Sequence, residues 1–154
     1  MHVYLGLGTN LGDKEQNLRT AATHIEERIG KLVSLSAFYA TEPWGFTSSH
    51  SFLNAALCID TGLPPLDILH LTQSIEQEMG RTCKSVNGQY HDRIIDIDLL
   101  LCGNLVLHTP RLTLPHPLMH QRLFVMKPLS EIAPDVVHPT LQRTLRELCE
   151  AIKE

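Results

Sequence analysis

The residues whose types and spacing most directly suggest chemistry are two carboxylates set two positions apart in an otherwise apolar run: Asp96 and Asp98 in "DRIIDIDLLLC". From Ile94 to Cys102 the composition is that of a buried strand. Strand alternation then puts Ile94, Asp96, Asp98 and Leu100 on one face and Ile95, Ile97, Leu99 and Leu101 on the other. Residues i and i+2 lie about 6.6 Å apart along a strand, and two bare carboxylates at that distance repel by roughly 2.5 kcal/mol at an effective dielectric of about 20. A cation beside them removes that cost. Hard oxygen ligands suit Mg²⁺, which is commonly held by one or two carboxylates together with substrate phosphates. For a bare D-x-D the competing reading, a merely solvated strand face, carries equal weight, so the decision rests on the neighbours.

The neighbours are cationic and aromatic. Arg81, Lys84 and Arg93 bracket a connection of about a dozen residues ahead of the aspartates, longer than the usual loop of roughly four to six. Arg111, His116 and Arg122 follow downstream. Cations alternating with metal-binding carboxylates match what a triphosphate requires, with arginines taking up charge on the transferred group. Phe52 and Asn54 share a strand face by their spacing, Trp44 sits in the loop before them and Phe124 follows Arg122, in a chain only 5% aromatic. Together they could form a flat slot in which Asn54 supplies the donor and acceptor that a fused amide heterocycle would match. Taken singly, each arginine reads as a solvated charge and each aromatic as core.

The elements that must carry these residues are legible in outline. "HVYLGLG" has strand composition. A helix follows, capped by Asn10 or Asp13, with an apolar stripe of Leu18, Ala21, Ala22 and Ile25 and a stop at Gly30. "KLVSLSAFYAT" and "SFLNAALCID" alternate as two antiparallel strands joined by a substantial loop. "PPLDILHLTQSIEQEMG" predicts a second helix, with Leu66, Leu69, Ile75 and Met79 near helical spacing and a stop at Gly80. The Asp-bearing strand comes next, then a hairpin at "CGN" into "LVLHT" and mostly helical material to the end. The order β-α-β-β-α-β predicts an α+β, ferredoxin-like αβ sandwich: a mostly antiparallel sheet with helices on one face, the other face free for ligand, and additional C-terminal elements. "GLGTNLG" runs G-x-G-x-x-x-G, so the signal for a dinucleotide-binding Rossmann sheet is weak.

Composition bounds the rest. With 154 residues, 43% of them hydrophobic and 19% charged, the chain is expected to form a single domain spanning residues 1–154. A net charge of -4 gives no general reason to expect nucleic acid or membrane partners. No leader-like amino terminus or membrane span is read, which makes the expected location cytoplasmic; a monomer is the expected state. Four scattered cysteines form no CxxC pair. His116 and His120 form an HxxxH, but Pro117 between them and the lack of a neighbouring acid make zinc the poorer reading.

The sequence also resembles a known family, the 6-hydroxymethyl-7,8-dihydropterin pyrophosphokinases of folate biosynthesis. The resemblance rests on "GLGTNLGD", "FYATEPWG", "SFLNAAL", "IEQEMGR", "DRIIDIDLLL" and "RLTLPHPLMHQRLFVMKPLSEIAP" in that order along nearly the whole chain. It implies a ferredoxin-like sandwich that transfers the β,γ-pyrophosphoryl group of ATP to the hydroxymethyl of the pterin and releases AMP. By position it further implies two Mg²⁺ ions at Asp96 and Asp98, and a pterin sandwiched by Phe52 and Phe124 and read by Asn54, with Thr41, Glu42 and Trp44 nearby. Gln73, Arg111, Thr113 and His116 would lie along ATP. Arg81, Arg93 and Arg122 would meet or close over its phosphates, Arg81 and Arg93 in the catalytic role, while Lys84, also expected at ATP, stands where a second loop arginine would be expected. Glu76 matches a family glutamate with a supporting place, and "GTN" a structural turn beside the pterin end of the sheet. His91 and Asp92 depart from the small residue and proline that commonly precede the family's arginine. The alternatives are a metal-dependent phosphodiesterase built on Asp96, Asp98 and His116, and a non-catalytic ferredoxin-like binding module.

Overall fold

A computed structural model of the chain describes residues 1–41, 51–80 and 94–152. Strand β1 (His2–Thr9) runs into helix α1 (Lys14–Arg28), whose amino end is capped by the Asp13 carboxylate accepting from the Gln16 N–H at 3.1 Å. Leu18, Ala21, Ala22 and Ile25 are its buried face, as the spacing predicts. Strands β2 (Lys31–Leu35), β3 (Tyr39–Thr41) and β4 (Phe52–Asp60) follow, then helix α2 (Pro65–Gly80) and strand β5 (Asp96–Cys102). The main sheet has the order β2-β4-β1-β5, every pairing antiparallel, with β3 pairing β4 beyond the end of β2. This is the predicted ferredoxin-like sandwich.

One sheet face is closed by α1 and α2 over Val3, Leu5, Leu7, Leu57, Ile59, Ile97 and Leu99. The buried face of α2 is Ile68, Thr72 and Ile75; Leu66 is exposed, and Leu69 and Met79 pack at the margin. The expected stripe therefore holds at Ile75 and, at the margin, at Leu69 and Met79, and fails at Leu66, where Ile68 is buried instead.

The other face is not wholly free. Helices α3 (Leu123–Ile132) and α4 (Leu145–Glu150) cover it at the end marked by Tyr4, Ala56, Cys58, Leu100 and Leu101, burying Val125, Met126, Leu129, Leu145 and Leu148. Among the described residues only the opposite end is left uncovered. An irregularity in the β1–β5 register at Tyr4/Leu5 breaks the strict alternation of β5: Leu101 joins Leu100 beneath α3, while Cys102 returns to the first core. The turn at Gly103, whose φ is +56°, does follow β5, but the strand after it, β6 (Leu107–His108), pairs with β7 (Thr113–Leu114) rather than folding back on β5.

Candidate active site

The open end of the second face is built by register. Gly8 of β1 lies opposite Asn54 of β4 on one side and Asp96 of β5 on the other, and Gly6 lies between Ala56 and Asp98. A row Asn54, Gly8, Asp96 thus crosses three strands. Neighbouring strands are about 4.8 Å apart, so the amide and the carboxylate spring from backbones roughly 10 Å apart, with no side chain between them. The glycine leaves this approach open: a Cβ at Gly8 would stand 3.1 Å from Asn54 Oδ1, close enough that the amide would have to shift by a few tenths of an ångström. Two strand glycines two positions apart signal a close approach of backbone or ligand, and that signal was readable in "GLG".

Asn54 is buried, and its Nδ2 donates to Thr41 Oγ1 at 3.0 Å across the β3–β4 pair. Thr41 lies opposite half-buried Phe52. The sequence-predicted Thr41, Phe52 and Asn54 therefore form one patch. The "GTN" turn beside it is anchored from α1, where Asn17 Nδ2 donates to Leu11 O at 2.8 Å and to Thr9 Oγ1 at 3.3 Å.

Asp96 and Asp98 are half-buried at the start of β5. Glu76, on α2, turns its carboxylate to this strand and accepts the backbone N–H of Ile97 at 2.8 Å. Burial above all, and then Asp96 and Asp98, push the Glu76 carboxyl up to about 7, against the Ile97 N–H, which pulls it down. Three acids thus feel one another at this edge, a charge surplus that a divalent cation fits. Among the described residues no three of His, Cys, Asp and Glu are grouped as a metal cage. A cation held here would draw its remaining oxygens from substrate and water, the habit of Mg²⁺ rather than of zinc.

His116 is tied to the same strand, its backbone N–H donating to Leu100 O at 3.0 Å. Its Nδ1 accepts from the Leu118 N–H at 3.2 Å, so the neutral ring carries its proton on Nε2. Burial and then Arg122 hold this imidazole below its ordinary value, with Asp96 acting in the opposite direction. His116 therefore sits in the field of both the acid cluster and Arg122.

Arg122 precedes the first turn of α3 and its guanidinium lies 5.9 Å from the centre of the Phe124 ring, a cation–π distance. Phe124 is 39% exposed, an unusual place for a core aromatic. Gln73 is exposed on α2, three residues before Glu76; Arg111 is exposed and Thr113 half-buried in β7. The remaining sequence-predicted site residues, Glu42, Trp44, Arg81, Lys84 and Arg93, lie outside the described residues.

Comparison with known proteins identifies the family. Residues 4–134 match the family 7,8-dihydro-6-hydroxymethylpterin-pyrophosphokinase (HPPK). A 2-amino-4-hydroxy-6-hydroxymethyldihydropteridine pyrophosphokinase of Porphyromonas gingivalis is 54% identical over 138 residues, covering 89% of this chain and 93% of that one. A protein of the same name from Bacillus subtilis is 40% identical over 134 residues, covering 86% and 78%. A solved structure of Plasmodium falciparum HPPK-DHPS with pteroate superposes with a TM-score of 0.76 at 17% identity, covering 97% of this chain but 42% of that longer one; it bears on the fold alone. The chain belongs to the 7,8-dihydro-6-hydroxymethylpterin-pyrophosphokinase family, ATP-dependent pyrophosphotransferases of folate biosynthesis.

Proposed function

We propose that this single domain acts in the cytoplasm as a monomer. In this reading it moves the β,γ-pyrophosphoryl group of ATP to the hydroxymethyl of 6-hydroxymethyl-7,8-dihydropterin by in-line displacement, with Asp96 and Asp98 holding two Mg²⁺ ions. The observation that carries the reading is the Asn54, Gly8, Asp96 row, which sets a group able to read an amide heterocycle roughly two strand spacings from a carboxylate pair suited to a metal-bound triphosphate. That separation leaves room for the hydroxymethyl arm and the attacked phosphorus.

Phe52 and Phe124 hold the pterin ring between them, a flat apolar slot with Glu42 and Trp44 near its mouth. Asn54 and Thr41 read its polar edge; because Thr41 Oγ1 already accepts from Asn54 Nδ2, the Thr41 hydroxyl proton is directed outward as a donor. Bound Mg²⁺ would supply charge neutralisation on the triphosphate oxygens. Gln73, Arg111, Thr113 and His116 line the nucleotide. Arg81, Lys84, Arg93 and Arg122 take the phosphates, with Arg81 and Arg93 meeting the charge that develops on the transferred group.

No residue in this set is an obvious strong base. His116 is held toward its neutral form, but its Nδ1 already accepts the Leu118 N–H and its Nε2 carries the proton, so it has no free lone pair to act as a base. Most of the acceleration is then assigned to holding the hydroxyl in line and to neutralising charge. Mixing the protein with Mg-ATP and the reduced hydroxymethylpterin and identifying the nucleotide product tests the reading. AMP is expected, since attack is at the β phosphorus; ADP alone would mean ordinary kinase chemistry, and turnover of phosphodiesters without ATP would favour a phosphodiesterase.

A further inference from the structure

Between β2 and β3 the edge of the sheet is interrupted. Leu35 still pairs with Leu57 and Tyr39 already pairs with Asn54, so Ser36, Ala37 and Phe38 span a stretch of β4 only two residues long. Ser36 repairs one side of the break: its N–H donates to Ala56 O at 2.9 Å, and its Oγ accepts the Ala56 N–H at 2.9 Å. The Ala37 N–H instead donates out of the sheet to both carboxylate oxygens of Glu131, at 3.2 and 3.1 Å. The same carboxylate accepts the phenol O–H of Tyr39, and this hydrogen bond, then burial, pushes the phenol up to about 12.

Glu131 stands near the carboxyl end of α3, the helix whose first turn presents Phe124. Tyr39 pairs with Asn54, and two residues on Thr41 accepts from Asn54. One carboxylate therefore joins the helix that carries one candidate wall of the slot, Phe124, to β3, which carries Thr41 and pairs with the strand of the other wall, Phe52. The helix does not need this tie to stay docked, because Val125, Met126 and Leu129 are buried against Ala56, Cys58 and Leu100. β3 itself is short: it is three residues long and, among the described residues, pairs with β4 alone, although Phe38 just before it packs on the core.

We propose that Glu131 is a positioning residue for the pterin slot, acting through Ala37 and Tyr39 to set β3, and with it Thr41 and its hydrogen bond from Asn54, at a fixed distance from Phe124. The inference rests on the pterin reading of this slot. Because the hydrogen bonds to Glu131 are exposed, they contribute little to global stability, so their loss should appear in substrate affinity rather than in folding.

Titration calorimetry of 6-hydroxymethyl-7,8-dihydropterin and, separately, of Mg-ATP into wild type, Glu131→Ala, Glu131→Gln and Tyr39→Phe tests it, with melting temperatures alongside. Glu131→Ala, which removes both acceptors, is expected to raise the pterin Kd about tenfold, and Tyr39→Phe, which removes one donor, by less. Glu131→Gln, which keeps one acceptor oxygen, should recover part of the loss, and Mg-ATP affinity should stay within about twofold throughout. Unchanged pterin affinity in Glu131→Ala, or an equal loss for both ligands with a lowered melting temperature, overturns the inference. Wild-type protein that binds Mg-ATP but no pterin overturns the underlying reading instead.

Discussion

The carboxylate of Glu76 accepts a 2.8 Å hydrogen bond from the backbone N–H of Ile97, the residue between Asp96 and Asp98. Among the described residues β5 pairs only with β1, and at this point α2 supplies the partner that a further strand would otherwise provide. Fixing the Ile97 amide fixes the pleat from which both aspartates project. Glu76→Gln keeps an acceptor and should hold turnover within a few-fold of wild type. Glu76→Ala orphans the N–H, at about 1–3 kcal/mol, and should lower turnover at least about tenfold. Saturating-substrate assays on both variants decide the matter; equal losses would mean that the Glu76 charge, not its hydrogen bond, is what counts.

Gly8→Ala separates the site from the fold. A methyl group in an extended strand ordinarily stabilises a protein by about 0.4–1 kcal/mol through the unfolded chain, but here it would press within 3.1 Å of Asn54 Oδ1. The pterin KM should rise several-fold, with the ATP KM and melting temperature little changed. A KM unchanged for both substrates would remove Asn54 from the pterin contact.

For the aromatic slot, Phe124→Ala should weaken pterin binding by about 1–3 kcal/mol, the scale of a lost stacking face. Fold stability should change less, because Phe124 is already 39% exposed. Phe52→Ala should behave similarly. Calorimetry showing unchanged affinity in both variants would place the substrate elsewhere.

The acid limb of stability has a different origin. His138 is buried; its Nδ1 accepts the N–H groups of Leu141 at 3.1 Å and Thr140 at 3.3 Å, and its Nε2 has no hydrogen-bond partner among the described residues. Burial and then His120, whose ring lies edge-on with centroids 6.4 Å apart, hold its pKa below the ordinary value. A lowered histidine binds fewer protons folded than unfolded, so stability is fully present above about pH 6.5 and is lost as pH falls below it toward the folded value. Urea midpoints should therefore drop between about pH 7.5 and about pH 5.5. The drop should be smaller in His138→Asn, whose amide oxygen can accept the same backbone donors; an equal slope in both proteins would assign the acid sensitivity to other groups.

How much of this was legible in the chain depends on how local each signal is. The stripe and cap of α1 are written within one helix, and the D-x-D face of β5 within one strand, so both were readable. The shifted register at Tyr4/Leu5, the pairing of β6 with β7 and the partial cover of the second face by α3 and α4 are set by partners far away in sequence, for which no periodicity speaks. The same holds for Glu76 and Glu131. Each acts on a backbone amide distant in sequence, and an acidic side chain on a helix looks alike whether it caps an amide or faces water.

The central claim is that Asp96 and Asp98 stand together to hold a cation rather than to build the fold. The direct measurement is the apo melting temperature, the shift on adding Mg-ATP, and turnover, for wild type, Asp96→Asn and Asp98→Asn. Wild type should gain stability by mass action, about 2.7 kcal/mol at a hundredfold excess over Kd. Each variant should melt at or above the wild-type apo temperature, since like-charge repulsion is relieved, yet gain much less from Mg-ATP and lose at least about a hundredfold in turnover. A variant that melts lower when apo but turns over near the wild-type rate would contradict the claim and make the pair structural.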